Sequence, residues 1–197
     1  MVWFEPASLR GKYVLLSPLQ AEDSVELSQA VEDGQLWKLW YTRVPSPMTM
    51  EGEIARRLRL QAEGTMLPFS VWDANRRAVG MTTYLDVDSE NSRVEIGATW
   101  YRKSAQRTPI NTECKFLLLR HAFETMKCVA VEFRTSSFNL PSRKAIERLG
   151  AKLDGILRCH AHHSDGSLRD TYVYSILATE WLSVRSHLAY QIECERN

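Results

Sequence analysis

The chain has 197 residues, is 44% hydrophobic and 25% charged, and carries a formal net charge of +1. That length suits one domain with a full core that needs no staples. The near-neutral balance argues against a global polyanion-binding surface, and no aromatic–basic repeat points to a nucleic-acid partner. No apolar run approaches the ~20 residues of a membrane span. The opening residues Met1-Val-Trp-Phe-Glu-Pro6 lack the basic and apolar regions of a secretory signal. Cys114, Cys128, Cys159 and Cys194 show no CxxC spacing. Cys114 and Cys128 lie among apolar residues and read as buried free thiols, and a reducing cytoplasm is the expected location. No repeat, low-complexity tract or linker divides the chain, so 1–197 reads as one domain.

In chain order, Tyr13 to Ser17 is a β-rich run and Glu22 to Glu32 a helix. The aromatic segment Leu36 to Arg43 ends at Val44-Pro45-Ser46-Pro47, where the prolines stop any helix. Thr49 to Ala62 is a second helix, with Thr49 as N-cap and Gly64 as stop. Phe69 to Trp72 and Ala78 to Val87 form a hairpin through Asp73-Ala-Asn75. Arg93 to Tyr101 is the next strand, with Val94, Ile96, Ala98 and Trp100 expected on one face and Arg93, Glu95, Thr99 and Tyr101 on the other. Asn111 to Met126 is the strongest helix, with a stripe of Phe116, Leu119, Phe123 and Met126. Val129 to Thr135 completes a parallel crossover. A short helix from Leu140 to Leu149, strands Lys152 to His162 and Leu168 to Leu177, and a helix from Thr179 to Glu193 close the chain. The fold class is mixed α/β: a mostly antiparallel sheet with one parallel pair and helices on its faces.

Two places suit chemistry. The loop Gln106-Arg107-Thr108-Pro109-Ile110-Asn111-Thr112 opens the strongest helix and is bracketed by Arg102, Lys103, Arg107 and Lys115. Free N–H groups and the positive dipole end make a helix N-terminus an anion site. It is neither a Walker loop nor a GxGxxG loop. Second, Asn139 reads as an N-cap that places the Ser142 hydroxyl near the positive end of the next helix, where it can donate to a thiolate or oxyanion. An ordinary solvated loop and a plain capped helix are the other readings of these two segments.

Together these segments carry a resemblance. Glu95-Ile-Gly97-Ala-Thr-Trp100, Gln106-x-x-Pro109-x-Asn111, Asn139-x-x-Ser142 and Ala145-Ile146-Glu147-x-Leu149-Gly150-Ala151, in that order, resemble the GNAT N-acetyltransferase superfamily. The branch it resembles most includes the ribosomal-protein N-terminal acetyltransferases. Arg169-Asp-Thr-x-x-Tyr174-Ser-Ile-Leu-x-x-Glu180-Trp181 fits that branch too. The resemblance implies acetyl-CoA as donor and a primary amine, on a peptide or a small molecule, as acceptor. It places the pyrophosphate on backbone amides of Arg107, Thr108, Ile110, Asn111 and Thr112, behind Gln106. The pantetheine arm would lie between splayed strands, along Thr99, Trp100 and Tyr101, with Asn139 and Arg143 nearby. A main-chain N–H near Thr99 or Trp100 would polarise the thioester carbonyl, and Ser142 would protonate the departing thiolate. Pro109 stands where the family loop has a glycine and removes one amide donor, worth about 0.5–1.5 kcal/mol. Asn111 stands where the last small residue would be, and no tyrosine lies between Asn139 and Gly150. These departures keep a second reading open, a CoA-binding module without catalysis.

An α-amine has a pKa of about 7.7–8.0, so a weak base acting through water suffices to neutralise it. Glu95, on the strand beside the expected thioester, is the candidate base; an ion pair with Arg93 is its other reading. Trp37, Trp40, Tyr41, Arg43 and His160 are candidate walls of the acceptor pocket, with core packing the other reading of the aromatic residues. Cys159, His160, His162, His163 and Asp165 carry metal-ligating groups but have no second ligand cluster, and no metal is expected. A homodimer is a family-level expectation.

Overall fold

The computed structural model describes residues 5–194; the opening residues 1–4 lie outside it. Eight strands form one sheet in the order β1-β2-β3-β4-β5-β6-β8-β7. They are β1 Leu9–Arg10, β2 Val14–Pro18, β3 Met66–Asp73, β4 Ala78–Asp88, β5 Arg93–Tyr101, β6 Ala130–Ser136, β7 Lys152–His162 and β8 Leu168–Leu177. The helices are α1 Ser24–Glu32, α2 Met50–Ala62, α3 Pro109–Arg120, α4 Leu140–Arg148 and α5 Trp181–Glu193. Every strand pair is antiparallel except β5–β6, the expected crossover.

The sheet is covered on both faces. Val94, Ile96, Phe133 and Ile176 pack under α3, α4 and α5 against Leu118, Ile146 and Leu188. On the other face Met81 and Trp100 meet Leu27, Val31, Met50 and Ile54 from α1 and α2. Burying one stripe per helix and both sheet faces is what stabilises such a layered fold. No helix of the described residues is long and apolar enough to cross a membrane. Cys114 and Cys128 are buried free thiols, while Cys159 and Cys194 are exposed.

Several boundaries differ from the sequence expectation, such as β3, which begins at Met66 instead of Phe69, and three of the differences have plain local reasons. Thr49 does not cap α2 with its side chain; it bonds the Ser46 amide at 2.9 Å in a short turn ahead of the helix. The strongest helix begins at Pro109 because Thr108, in extended conformation, caps it and proline fits the first helical position. It ends in a π-helical turn, His121–Thr125, in which the Met126 amide reaches the His121 carbonyl at 2.9 Å. The two-residue β1, too short for a periodicity signal, is held with the start of β2 by buried Glu113 of α3. That carboxylate accepts the amides of Lys12, Tyr13 and Val14 at 2.8, 2.6 and 2.9 Å. A Cβ on Gly11 would meet the same carboxylate at 2.3 Å.

Candidate active site

The parallel pair β5–β6 is joined only at Arg93↔Ala130, Val94↔Val131 and Glu95↔Glu132. Beyond Glu95 the strands part, so the β5 edge from Ile96 to Tyr101 faces a gap instead of a neighbour. An open edge presents unpaired main-chain donors and acceptors to whatever enters. The gap coincides with a bulge. On β4, Met81 and Thr83 pair with Trp100 and Gly97, leaving one extra residue on β5, and Ala98 takes φ +46°. The bulge overturns the expected alternation: Ile96 and Tyr101 share the α3–α5 core, whereas Trp100 lies in the α1–α2 core.

Two buried cations clasp this bulge from opposite faces. Arg57 of α2 is 2% exposed. It bonds Glu53 at 2.7 Å and Thr83 at 2.7 Å, and its Nη2 donates to the Ala98 carbonyl at 3.3 Å. From the other face Lys115 of α3 donates to Thr99 Oγ1 at 2.7 Å and Thr82 Oγ1 at 3.2 Å. The Thr99 hydroxyl is 3.3 Å from the Gly97 carbonyl. Burial brings the Lys115 ammonium down to about 8, and no carboxylate among the described residues pairs with it. Neither role was legible, although each cation sits inside an apolar stripe (Met50, Ile54 and Arg57; Cys114, Lys115, Leu117 and Leu118), an uncommon place for a charge.

The loop before α3 is ordered by its own side chains. Gln106 Nε2 donates to the Tyr101 carbonyl at 2.9 Å, so that side chain braces the loop. Arg107 adopts φ +60°. Thr108 Oγ1 donates to the Ala105 carbonyl at 2.7 Å and accepts the Ile110 amide at a long 3.4 Å. The amides of Arg107 and Thr108 donate to no group among the described residues, and that of Asn111 sits in the first turn, where a helix supplies no partner. Thr112 is different: it is the first residue whose amide the helix itself consumes, so it leaves the expected cradle. Two of the four bracketing cations are also committed elsewhere, Arg102 to Asp33 at 3.0 Å and Lys115 to the bulge. Lys103 and Arg107 remain exposed at the loop.

At the start of α4, on the α3 face, Asn139 Oδ1 accepts the Ser142 amide at 3.2 Å, as the capping reading requires. The Ser142 hydroxyl is half-buried and bonds nothing among the described residues. Arg143 is occupied: its guanidinium stacks 3.9 Å from the Tyr172 ring and donates to Tyr174 Oη at 3.3 Å.

The opposite face of the fork carries Glu95, which is 8% exposed. Arg93 pairs with Glu132, not with Glu95. Among the described residues the Glu95 carboxylate pairs only with Arg134, at 3.6 Å, and makes no hydrogen bond. Burial pushes it up to about 7; Arg134 opposes this, while Asp86 and Glu132 reinforce it. A Cβ on Gly97 would meet Glu95 Oε1 at 2.6 Å, so glycine is what lets the carboxylate lie at the fork. Glu95 borders a cleft of about 530 Å³ that Asp86, Asp88, Glu90 and Glu132 also line.

The expected aromatic wall forms in part. Trp40 contacts Tyr41, Phe138 and His163, at centroid distances of 5.7, 5.2 and 4.9 Å. Arg43 Nη2 donates to the His162 carbonyl at 3.2 Å, and His160 Nδ1 lies 3.2 Å from Thr171 Oγ1. Trp37 leaves the wall and packs with Leu36 and Val44 against the α1–α2 core. His163 takes a place in it that was not foreseen, since only the hairpin turn brings it back over Ser136, at 3.5 Å. No group of three or more His, Cys, Asp or Glu among the described residues could hold a metal.

A mixed sheet split at one parallel pair, with free amides at one helix N-terminus and a serine at the next, is the layout that the sequence resemblance implies for an acyl-CoA-dependent N-acyltransferase. Residues 14–152 match the family described as Acetyltransferase (GNAT) domain, and the chain belongs to that family. It is an N-acetyltransferase, and its donor is acetyl-CoA. It is similar to a GCN5-related N-acetyltransferase from Brucella melitensis at 27% identity, covering 95% of this chain and 86% of that one with a TM-score of 0.85. A GNAT-family protein from Chromobacterium violaceum is 28% identical over 90% of this chain and 89% of its own, with a TM-score of 0.79. RimJ of Mycobacterium smegmatis, in complex with CoA-disulfide, shares the fold at 21% identity, covering 96% of this chain and 95% of its own with a TM-score of 0.79. No curated protein matches the sequence.

Proposed function

We propose that this chain, as one domain over 1–197 acting in the cytoplasm, moves the acetyl group directly to a primary amine within a ternary complex. The observation that carries the reading is the fork itself. Glu95, with an affinity for protons near neutrality, stands on one face, and the free Ser142 hydroxyl stands at a helix N-terminus on the other. Acetyl-CoA supplies an acyl carbon activated as a thioester. The amides of Arg107, Thr108, Ile110 and Asn111 hold its pyrophosphate, and the open edge of β5 from Gly97 to Tyr101, with Asn139, aligns the arm.

Glu95 takes a proton from the acceptor ammonium through a water, leaving the amine neutral. The neutral amine attacks the acyl carbon and the C–S bond breaks; Ser142 gives its proton to the departing thiolate, and the surplus proton on the new amide nitrogen passes through water to restore the Ser142 hydroxyl. The clasp of Arg57 and Lys115 keeps the main chain at Ala98–Trp100 rigid where the carbonyl oxygen gains charge; such preorganisation is the main electrostatic contribution in acyl transfer. The exposed apolar side chains of the β7 edge, Leu153, Ile156 and Leu157, support a homodimer as part of this reading.

An amine panel that follows thiol release from acetyl-CoA tests the reading, alongside Ser142→Ala. Loss of turnover in the variant with acetyl-CoA binding retained by calorimetry supports it. Equal turnover by both proteins removes Ser142 from the mechanism.

A further inference from the structure

The acceptor face holds a second, oppositely charged half that the proposed chemistry does not use. On β8, Tyr174 and Ile176 point into the α3–α5 core, so Thr171 and Arg169 lie on the other face, that of Glu95. Arg169 pairs in register with Ala161, next to the His162–Leu168 pair. Arg43, arriving from the aromatic segment between α1 and α2, bonds the carbonyl of that same His162. Two guanidinium groups therefore converge where the β7–β8 hairpin meets the Trp40 wall. Neither has a carboxylate within 4.0 Å among the described residues, and Arg169 Nε is buried with no hydrogen-bond partner.

Like charges do not gather without cause. Arg169 is held below its usual proton affinity first by burial and then by Arg43, and Glu95 is the group that opposes the shift. An unpaired buried guanidinium N–H costs stability until something accepts from it. Guanidinium forks match carboxylates, which take paired parallel hydrogen bonds from them. The other half of the face has the reverse sign: Asp86, Asp88, Glu90 and Glu132 stand beyond Glu95, against Arg93 and Arg134. The face is thus polarised, positive on the hairpin side of Glu95 and negative on the other.

We propose that the acceptor is an aminocarboxylate, a molecule whose amine is presented to Glu95 while a carboxylate a few bonds away is held by Arg43 and Arg169. This rests on the reading of the fork given above and narrows its acceptor. A free α-amino acid and a peptide beginning with Asp or Glu offer the same chemistry.

The test uses the full chain with saturating acetyl-CoA for turnover, or with CoA for binding. The proteinogenic α-amino acids are each compared with their own carboxamides, and dipeptide amides beginning with Asp or Glu with those beginning with Asn or Gln. Putrescine and other carboxylate-free amines complete the panel. At least one acid is expected to bind and react at least tenfold better than its neutral partner. In Arg169→Gln, and separately in the exposed Arg43→Ala, that ratio falls toward one while the melting temperature holds. Preference within the first set assigns a free amino acid, and within the second an acidic peptide terminus. Equal use of acids and amides, or no use of any acid, overturns the inference. Turnover of the carboxylate-free amines then decides separately whether the fork chemistry stands.

Discussion

The two sides of the fork are built on different principles. The proposed cofactor side is made of main chain: the edge of β5, the loop amides before α3 and the cap of α4. The edge and the loop are contiguous in the chain, the cap follows after one strand, and the side chains mostly brace the main chain, as Gln106 and Thr108 do. The proposed acceptor side is made of side chains gathered from afar: Trp40 and Arg43 before α2, Glu95 on β5, and His163 and Arg169 on the last hairpin. A site of backbone amides survives substitutions such as the proline at 109, because only one donor is lost. A site of buried, unevenly charged side chains has no such redundancy, and the individuality of this enzyme resides there.

The largest test of that contrast is Glu95→Gln. Turnover should fall about 10²-fold or more, and the rise in rate with pH near 7 should vanish from the profile. Stability should move the other way. A carboxylate whose proton affinity is raised by folding stabilises fully below the ordinary carboxylate range, and that contribution is lost as pH rises to about 7. Melting curves of the variant should lack this decline, and at pH 8 it should melt no lower than the parent.

Lys115→Met comes next and asks whether the clasp positions the bulge. The expected outcome is a roughly tenfold lower kcat with calorimetric acetyl-CoA affinity little changed. Its linkage has the opposite sign. Folding lowers the lysine affinity for protons to about 8, so the parent gains stability as pH rises from about 8 toward the ordinary lysine range. Melting curves of the variant should not. A variant that keeps the parent kcat would show that the bulge holds without Lys115.

The paired tryptophans separate wall from core. Trp40→Ala should raise the acceptor KM with little change in melting, whereas Trp37→Ala should cost about 2–4 kcal/mol in denaturant unfolding with KM unaltered. Pro109→Gly should have the smallest effect. It restores one amide donor but gives up the preset first turn, so the acetyl-CoA Kd should shift by less than about tenfold. A larger gain would mean that the cofactor side depends on single donors after all.

What the sequence made legible follows the same division. Strand and helix periods placed β5, β7 and β8 at their observed bounds, and the caps and stops at Asn139, Gly64 and Gly150 hold because they are local. The Ala98 bulge was hidden because a single inserted residue leaves no mark on an alternating pattern, yet it reverses the faces of all that follows. Arg57, Lys115, His163 and Arg169 gained their places only when strands far apart in the chain met. Their composition signal, a cation or imidazole among apolar neighbours, exists but names no partner.

The Glu113 carboxylate that gathers the amides of residues 12–14 joins positions 101 residues apart. Closing so long a loop is entropically costly before the contact can form, and pairings of this separation slow folding. The contact therefore needs α3, the helix whose first amides are proposed to hold the cofactor, in place before the turn at residues 12–14 can be fastened to it. During synthesis β1 and β2 can pair with each other and with β3 early, and only the Glu113 contact waits for more than half of the chain. The hairpin can form early, but its turn is fastened to α3 late.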